Sequence, residues 1–169
     1  NGPINKGNQT YDLEFTMILQ NTGDVPLSNI QVIDDLALTF AAAESFTINS
    51  VTTSANLTVN PLYNGTTNVQ LLSGNDGLAY NETGTITLSV NLRPGINITP
   101  FENIAIGEGI SPAGISVSDD SQDGDDFDPD NDNNPSNNGD PTPIPIPAVA
   151  VLKDLTSSVL LPDGDVRLT

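Results

Sequence analysis

The segment Thr83–Leu92, TGTITLSVNL, decides the fold class of this chain. Its apolar residues Ile86, Leu88, Val90 and Leu92 stand at every second position, with Thr, Ser and Asn between them. Successive side chains of a β-strand point to opposite faces, so this spacing predicts a strand with one buried face.

A second segment, Tyr11–Asn21 (YDLEFTMILQN), repeats the alternation with Leu13, Phe15, Met17 and Leu19 on one face. These four residues and the four apolar residues of Thr83–Leu92 are the predicted core. Turn residues recur about every 8–12 residues along the chain, the rhythm of an all-β sandwich. More short strands are predicted at IQVIDDL, FTINSVTTS, LTVNP, NVQLL, FENIAIGEGIS and GISVS, and a helical turn is plausible only at DLALTFAAAES.

Composition and charge limit the partners of the chain. The 169 residues include no Cys and no His, and 22 acidic against 4 basic residues give a formal net charge of −18. Phosphate binding needs clustered Lys and Arg, so a nucleic-acid partner is not expected. An apolar run of about 18 residues is missing from the sequence, so no membrane span is predicted in this chain. Cations are the expected partners of this charge.

The segment Asp120–Pro141, DSQDGDDFDPDNDNNPSNNGDP, concentrates the negative charge and contains no Lys or Arg. Ca²⁺ takes about six to eight oxygen ligands from carboxylates, amides, backbone carbonyls and water. Between Asp128 and Asn134 a ligand side chain stands at every second residue, which would let one loop surround one ion. A solvated, disordered acidic linker is the alternative. The predicted Ca²⁺ ligands are Asp119, Asp120, Asp123, Asp125, Asp126, Asp128, Asp130, Asp132, Asn134 and Asp140.

The chain divides by composition into three zones. Residues 1–118 are predicted to form the sandwich, and residues 119–147 an acidic joint followed by a stiff, extended spacer, PTPIPIP. Residues 148–169 return to strand-like sequence, beginning with AVAVLKDL, and the chain stops just inside a further strand, VRLT. We therefore expect the chain to be one period of a repeat, in which residues 148–155 supply the first strand of the next sandwich.

This rotated order resembles the Ig-like "conserved repeat" domains of unknown function that occur in tandem in very large bacterial surface and secreted proteins. The resemblance is carried by Tyr11–Leu36, Thr83–Gly95 and Asn103–Pro147, and it covers nearly the whole chain once the order is rotated. In that family a strand like AVAVLKDL opens the repeat and a segment like SDDSQDGDDFDPD closes it. The resemblance implies an Ig-like β-sandwich, an extracellular or cell-surface location, and no shared enzymatic activity.

An enzyme is not expected from these residues. Ser45, Ser111 and Ser118 have no His to activate them. Asp34 and Asp35 are adjacent, so on a strand their carboxylates would point to opposite faces and could not flank one substrate.

The predicted function is therefore structural. We expect a repeat module of an extracellular bacterial fibre, stalk or adhesin, linked head to tail to identical repeats or subunits through joints rigidified by calcium. A binding module for glycan or protein ligands is the alternative. Some Ig-like bacterial surface domains also cross-link a Lys to an Asn or Asp beside a buried acid. Lys6 and Lys153 are the candidates here, and Lys153 stands on a predicted strand. The plainer interpretation is an exposed Lys.

Overall fold

The computed structural model describes residues 2–95 and 100–147, and the short strands at 158–160 and 166–168. Almost all of the regular structure is antiparallel β-sheet, so the predicted all-β class is confirmed. Among the helices of these residues, none has the length and apolar character needed to span a membrane.

The first four-stranded sheet contains the two segments with the clearest alternation. Its strands are β1 (Ile4–Asn5), β2 (Tyr11–Gln20), β4 (Ser45–Thr53) and β6 (Thr83–Arg93), in the order β1-β2-β6-β4. β2 and β6 pair along their length, from Tyr11 opposite Leu92 to Gln20 opposite Thr83. The apolar residues of the two strands therefore share one face.

The second four-stranded sheet is formed by strands that the sequence predicts as shorter elements. It contains β3 (Leu27–Asp34), β5 (Asp76–Leu78), β8 (Ala105–Ile110) and β9 (Ser116–Asp120), in the order β5-β3-β8-β9. Among the described strands β9 pairs with β8 alone, so it is an edge strand of this sheet, and all of its residues are exposed.

The remaining elements are short. β7 (Phe101–Asn103) pairs with β10 (Thr142–Ile144), and β11 (Ser158–Leu160) pairs with β12 (Val166–Leu168). The predicted helical turn is a single turn, α1 (Leu36–Thr39), and a 3₁₀ turn follows later at Pro135–Asn137.

One core joins the two sheets. Of the eight predicted core residues, the four on β6 are completely buried, Leu13 is buried, and the other three are half-buried against them. The second sheet contributes Ile30, Val32 and Leu78 to the same cluster. The predicted core is confirmed, and it gives the fold a β-sandwich-like character.

Two predicted strands, LTVNP and NVQLL, form only isolated bridges, Val59 to Leu72 and Ile33 to Gln70. Backbone hydrogen bonds connect the two segments next to the first bridge, from Asn60 N to the Leu71 carbonyl and from Ser73 N to the Thr58 carbonyl, both at 2.9 Å. Asn60 Nδ2 adds a side-chain bond to the carbonyl of Gln70 at 2.8 Å.

The proline-rich segment differs from the expectation of a spacer that leads away from the sandwich. It is extended, as predicted, but Thr142–Ile144 pairs with Phe101–Asn103 as β10. Ile144 is buried in the core and Ile146 packs against it, whereas Pro143 is exposed. Proline is tolerated in an edge strand because its missing N–H can face solvent.

Candidate functional site

β7 continues through Ile104 into β8, so residues 101–110 form one extended backbone segment. β9 and β10 pair with the same edge of this segment. On this edge Asp120 stands opposite Ile106, and Thr142 stands opposite Asn103. An uninterrupted β9 would bring Asp123 opposite Asn103, so Thr142 occupies the position that Asp123 would otherwise take. Residues 123–141, here called the acidic loop, are thus an insertion within one edge strand.

Hydrogen bonds close the base of the acidic loop. Asp123 N donates to the carbonyl oxygen of Asp140 at 2.9 Å, and Asp140 N donates to Gln122 Oε1 at 3.0 Å. The chain therefore leaves the sheet and returns to the same edge. The expectation that residues 119–147 form a joint between domains stays a prediction, because the described residues contain one sandwich.

Three predicted ligands meet in the acidic loop. One carboxylate oxygen from each of Asp128, Asp130 and Asp132 lies within 4.8 Å of the other two. Ca²⁺–oxygen distances are about 2.3–2.6 Å, so two ligands on opposite sides of one ion are about 5 Å apart. The three carboxylates are therefore close enough to bind one metal ion.

The backbone of the loop curls around these carboxylates. Asn131 and Asn133 have positive φ values of 59° and 67°, a conformation that Asn adopts more readily than most residues. Two backbone amides of this stretch point at the carboxylate of Asp128. Asp132 N donates to Asp128 Oδ1 at 3.2 Å, and Asn133 N donates to Asp128 Oδ2 at 2.9 Å. A carboxylate oxygen has two acceptor sites, so these bonds leave capacity for a cation.

Two neighbouring predicted ligands support the loop from either side. Asp126 Oδ1 accepts from Asp128 N at 3.1 Å, and Asn134 N donates to Asp132 Oδ1 at 2.8 Å. Asn137, which the sequence analysis missed, donates from Nδ2 to Asp132 Oδ2 at 2.9 Å. Its only sequence signal is the Asn-rich composition of the segment.

The other predicted ligands lie outside this cluster. Asp119, Asp120 and Asp140 line a shallow polar cleft against the 3₁₀ turn. Partial desolvation and the charge of Asp120 raise the pKa of Asp119 above its usual range. Asp123 and Asp125 are exposed in the loop. Within residues 2–95 and 100–147, Asp128, Asp130 and Asp132 are the one acidic group with this spacing.

A second polar cluster lies inside the sandwich, at the end of β3. Asp34 is completely buried, and Asn103 Nδ2 donates to its Oδ2 at 3.3 Å. Thr39 Oγ1 donates to Asn103 Oδ1 at 2.6 Å, and the Tyr63 hydroxyl donates to the backbone carbonyl of Asp34 at 3.2 Å. Burial raises the pKa of Asp34 to about 7; the Asn103 hydrogen bond opposes this shift and the charge of Asp35 adds to it.

The buried cluster was not predicted, although the sequence contains a signal for it. Ile30, Val32 and Asp34 alternate along β3, so the spacing that buries the two apolar residues also buries the carboxyl. Asp35 instead caps α1, since its Oδ1 accepts from Leu38 N at 3.0 Å. The two adjacent acids have separate environments, as expected. Lys153, the residue of the cross-link alternative, lies outside the described residues.

An open, largely apolar groove runs beside β4. It is lined by Phe40, Phe46, Ile48 and Tyr63 among others. Phe40 is packed against Phe46, with ring centroids 5.5 Å apart. Within the described residues β4 pairs with β6 alone, so the groove lies at a sheet edge.

Comparison of the chain with protein-family models, with curated proteins and with solved structures gave no match. The resemblance to Ig-like conserved-repeat domains accordingly stays a hypothesis.

Proposed function

We propose that this chain is a structural repeat module of an extracellular bacterial fibre, stalk or adhesin, and that its acidic loop binds Ca²⁺. The observation that carries the proposal is the convergence of Asp128, Asp130 and Asp132 in a loop whose two ends are anchored on one sheet edge. The resemblance to tandem surface repeats supports the head-to-tail arrangement and the extracellular location.

Calcium is the metal that these ligands favour. The side chains around the cluster offer carboxylate and amide oxygens, and the chain has no Cys or His to supply sulfur or imidazole nitrogen. Hard cations such as Ca²⁺ prefer oxygen ligands, whereas Zn²⁺ and Cu²⁺ favour softer ones. Mg²⁺ demands a near-ideal octahedral geometry and keeps several waters, whereas Ca²⁺ accepts more, and less regularly placed, oxygen ligands.

The position of the loop indicates how calcium would stiffen a repeat. β10 begins directly after the loop and leads to Pro147, where the chain continues toward residues 148–169. Without a cation the acidic side chains of the loop repel one another, because no Lys or Arg lies among them. A bound ion would offset this repulsion and hold β10 in register on β7. The direction in which the chain leaves the sandwich would then be fixed.

Calorimetric titration of the chain with CaCl₂ tests the proposal. Saturable binding is expected for the natural chain, with loss of most of the heat in the double variant Asp128→Asn plus Asp130→Asn. Asp125→Asn is the matched control, because it removes a charge from the same loop without touching the cluster. Heat that is absent at millimolar Ca²⁺, or that falls equally in both variants, would overturn specific binding.

A binding module is the second candidate, favoured by the apolar groove beside β4. The half-buried side chains of Phe46 and Ile48 could contact an extended peptide or a sugar ring there. Chemical-shift mapping with short glycans and peptides tests it: saturable shifts confined to residues 40–48 and 63–66 would support this function. Shifts scattered over the surface would reject it.

A further inference from the structure

Asp34 connects strands β3 and β7, which do not pair with each other within the described residues. It is the last residue of β3, it stands opposite Ala105 at the start of β8, and its N–H donates to the Val69 carbonyl at 2.9 Å. Its side chain reaches Asn103 of β7 instead. β7 in turn pairs with β10. The contact between Asp34 and Asn103 therefore lies next to the strand that follows the acidic loop.

The carboxyl of Asp34 is incompletely satisfied. Oδ2 accepts from Asn103, whereas Oδ1 is buried and has no hydrogen-bond partner in the described part of the chain. A neutral carboxyl costs less at this site than an ionised one, because Oδ2 still accepts from Asn103 and no charge is buried. An ionised carboxylate there would be a buried charge with one weak hydrogen bond, which is costly.

The groups that face Asp34 offer no neutralising charge. Asp35, next in the chain, is an acid, and the phenol of Tyr63 stays neutral because burial raises its pKa. Asn103 of β7 and Thr39 of α1 are uncharged.

The two basic side chains within residues 2–95 and 100–147, Lys6 and Arg93, pair with other acids. Lys6 Nζ lies 2.9 Å from Asp12, and Arg93 Nε lies 2.9 Å from Glu44. Neither of these pairs involves Asp34.

We infer that Asp34 is a proton-controlled latch that holds β7, and with it β10, on the sandwich. The protonated carboxyl keeps its hydrogen bond with Asn103 inside the core. Ionisation favours a locally open state in which the carboxylate reaches water and β7 is released. This inference needs no calcium and does not rest on the proposed function.

The direction of the pH response follows from the burial of the group. The pKa of Asp34 is raised in the folded state to about 7 from a reference of 3.8. The latch is therefore closed most firmly at acidic pH, and its stability is lost as the pH rises through about 7. Between these two pKa values, each rise of one pH unit increases the equilibrium constant for opening about tenfold.

Hydrogen exchange on the full chain tests the latch. Protection factors, which correct for the intrinsic pH dependence of exchange, are compared at pH 5 and pH 8 for the amides of β7 and β10. In the natural chain they are expected to fall at least tenfold between these pH values. In Asp34→Asn, an isostere of the neutral carboxyl, the fall should disappear.

Asp35→Asn is the control. Asn caps helices about as well as Asp, so this variant removes a neighbouring charge and should keep the pH response. An equal fall in all three chains would overturn the latch. If Asp34→Asn does not fold, the side-chain carboxyl carbon of Asp34 can be titrated by NMR in the natural chain. A midpoint between pH 6 and 8 that coincides with the loss of protection supports the latch, and a midpoint below pH 5 overturns it.

Discussion

Asn103 pairs with Thr142 at the position on the sheet edge that an uninterrupted β9 would give to Asp123. The two strands on either side of the acidic loop are therefore in register with each other across the insertion. The loop is an addition to one edge strand rather than an extension of the domain.

Deletion of residues 123–141 should leave the sandwich folded. Joining Gln122 to Thr142 keeps Thr142 opposite Asn103, so no pairing has to shift. Thermal unfolding by circular dichroism at low protein concentration should show one cooperative transition within a few degrees of that of the natural chain in the absence of Ca²⁺. The natural chain should gain stability on addition of Ca²⁺, and the shortened chain should not. Failure of the shortened chain to fold would show that the loop is part of the domain.

Gly84→Ala should destabilise the core. A Cβ at this position would lie 2.5 Å from Leu57 Cδ1, which is closer than packed carbon atoms approach. Overpacking of this kind costs about 1–3 kcal/mol, measurable by urea unfolding. Gly2→Ala, where a Cβ meets nothing within 4 Å, is the control. The double variant Gly84→Ala plus Leu57→Ala should lose less than the sum of the single changes, because the clash is gone; strict additivity would contradict the packing argument.

Asn21→Ala should destabilise the turn between β2 and β3. Asn21 is buried, and its Nδ2 donates to the carbonyl oxygens of Val25 at 2.8 Å and Leu78 at 3.0 Å. Its loss leaves two carbonyls with a missing donor, at a cost of about 1–3 kcal/mol. Asn75→Ala, which removes an exposed amide with one long contact of 3.5 Å, is the control. Equal effects in urea unfolding would contradict the role of Asn21.

Global stability should fall as the pH rises from 5 to 8. The raised pKa of Asp34, about 7, means that the folded state holds a proton that the unfolded state releases at lower pH. The free energy of unfolding should decrease by about 2 kcal/mol over this range. Urea unfolding at several pH values measures it, and Asp34→Asn should give a flatter profile than Asp35→Asn. A rise in stability between pH 5 and 8 in the natural chain would contradict the sign.

Residues 148–155 are predicted to complete the sandwich of the next period, a prediction that lies outside the described residues. A chain with residues 148–169 moved ahead of 1–147 should unfold at a higher temperature than residues 1–147 alone, because it supplies the missing first strand. Residue 147 has to be the boundary in both, since Ile144 and Ile146 pack in the core. Equal unfolding temperatures would remove the split-domain hypothesis.

Alternation in the sequence was sufficient to predict three strands of the first sheet, β2, β4 and β6, but not the short strand β1. Leu88 and Val90 of β6 are buried by the same two-residue period that marks them in the sequence. The period also marked Asp34 as an inward residue, but a carboxyl is expected at the surface, so the buried cluster was not predicted. Its burial depends on Asn103, which is far away in the chain.

The closure of the acidic loop could not be predicted from the sequence. Pro143 and Pro145 suggested a polyproline spacer, although each proline alternates with a residue that faces the core. The pairing of β10 with β7 depends on a long-range contact that skips the whole insertion. The side-chain spacing of Asp128, Asp130 and Asp132 did predict the one carboxylate cluster that the described residues contain.

The insertion also has a consequence for solubility. β9 is an exposed edge strand with Val117 on its surface and Ile115 just before it, and unpaired edges of this kind are templates for the strands of other molecules. A straight edge running from β9 into β10 would offer a longer row of free C=O groups, with free N–H groups on the β9 part, since Pro143 and Pro145 have none. The acidic loop breaks this row in the middle and surrounds the break with negative charge. We therefore expect the loop to reduce edge-to-edge aggregation, so that a chain without the loop should precipitate at lower concentration than the natural one.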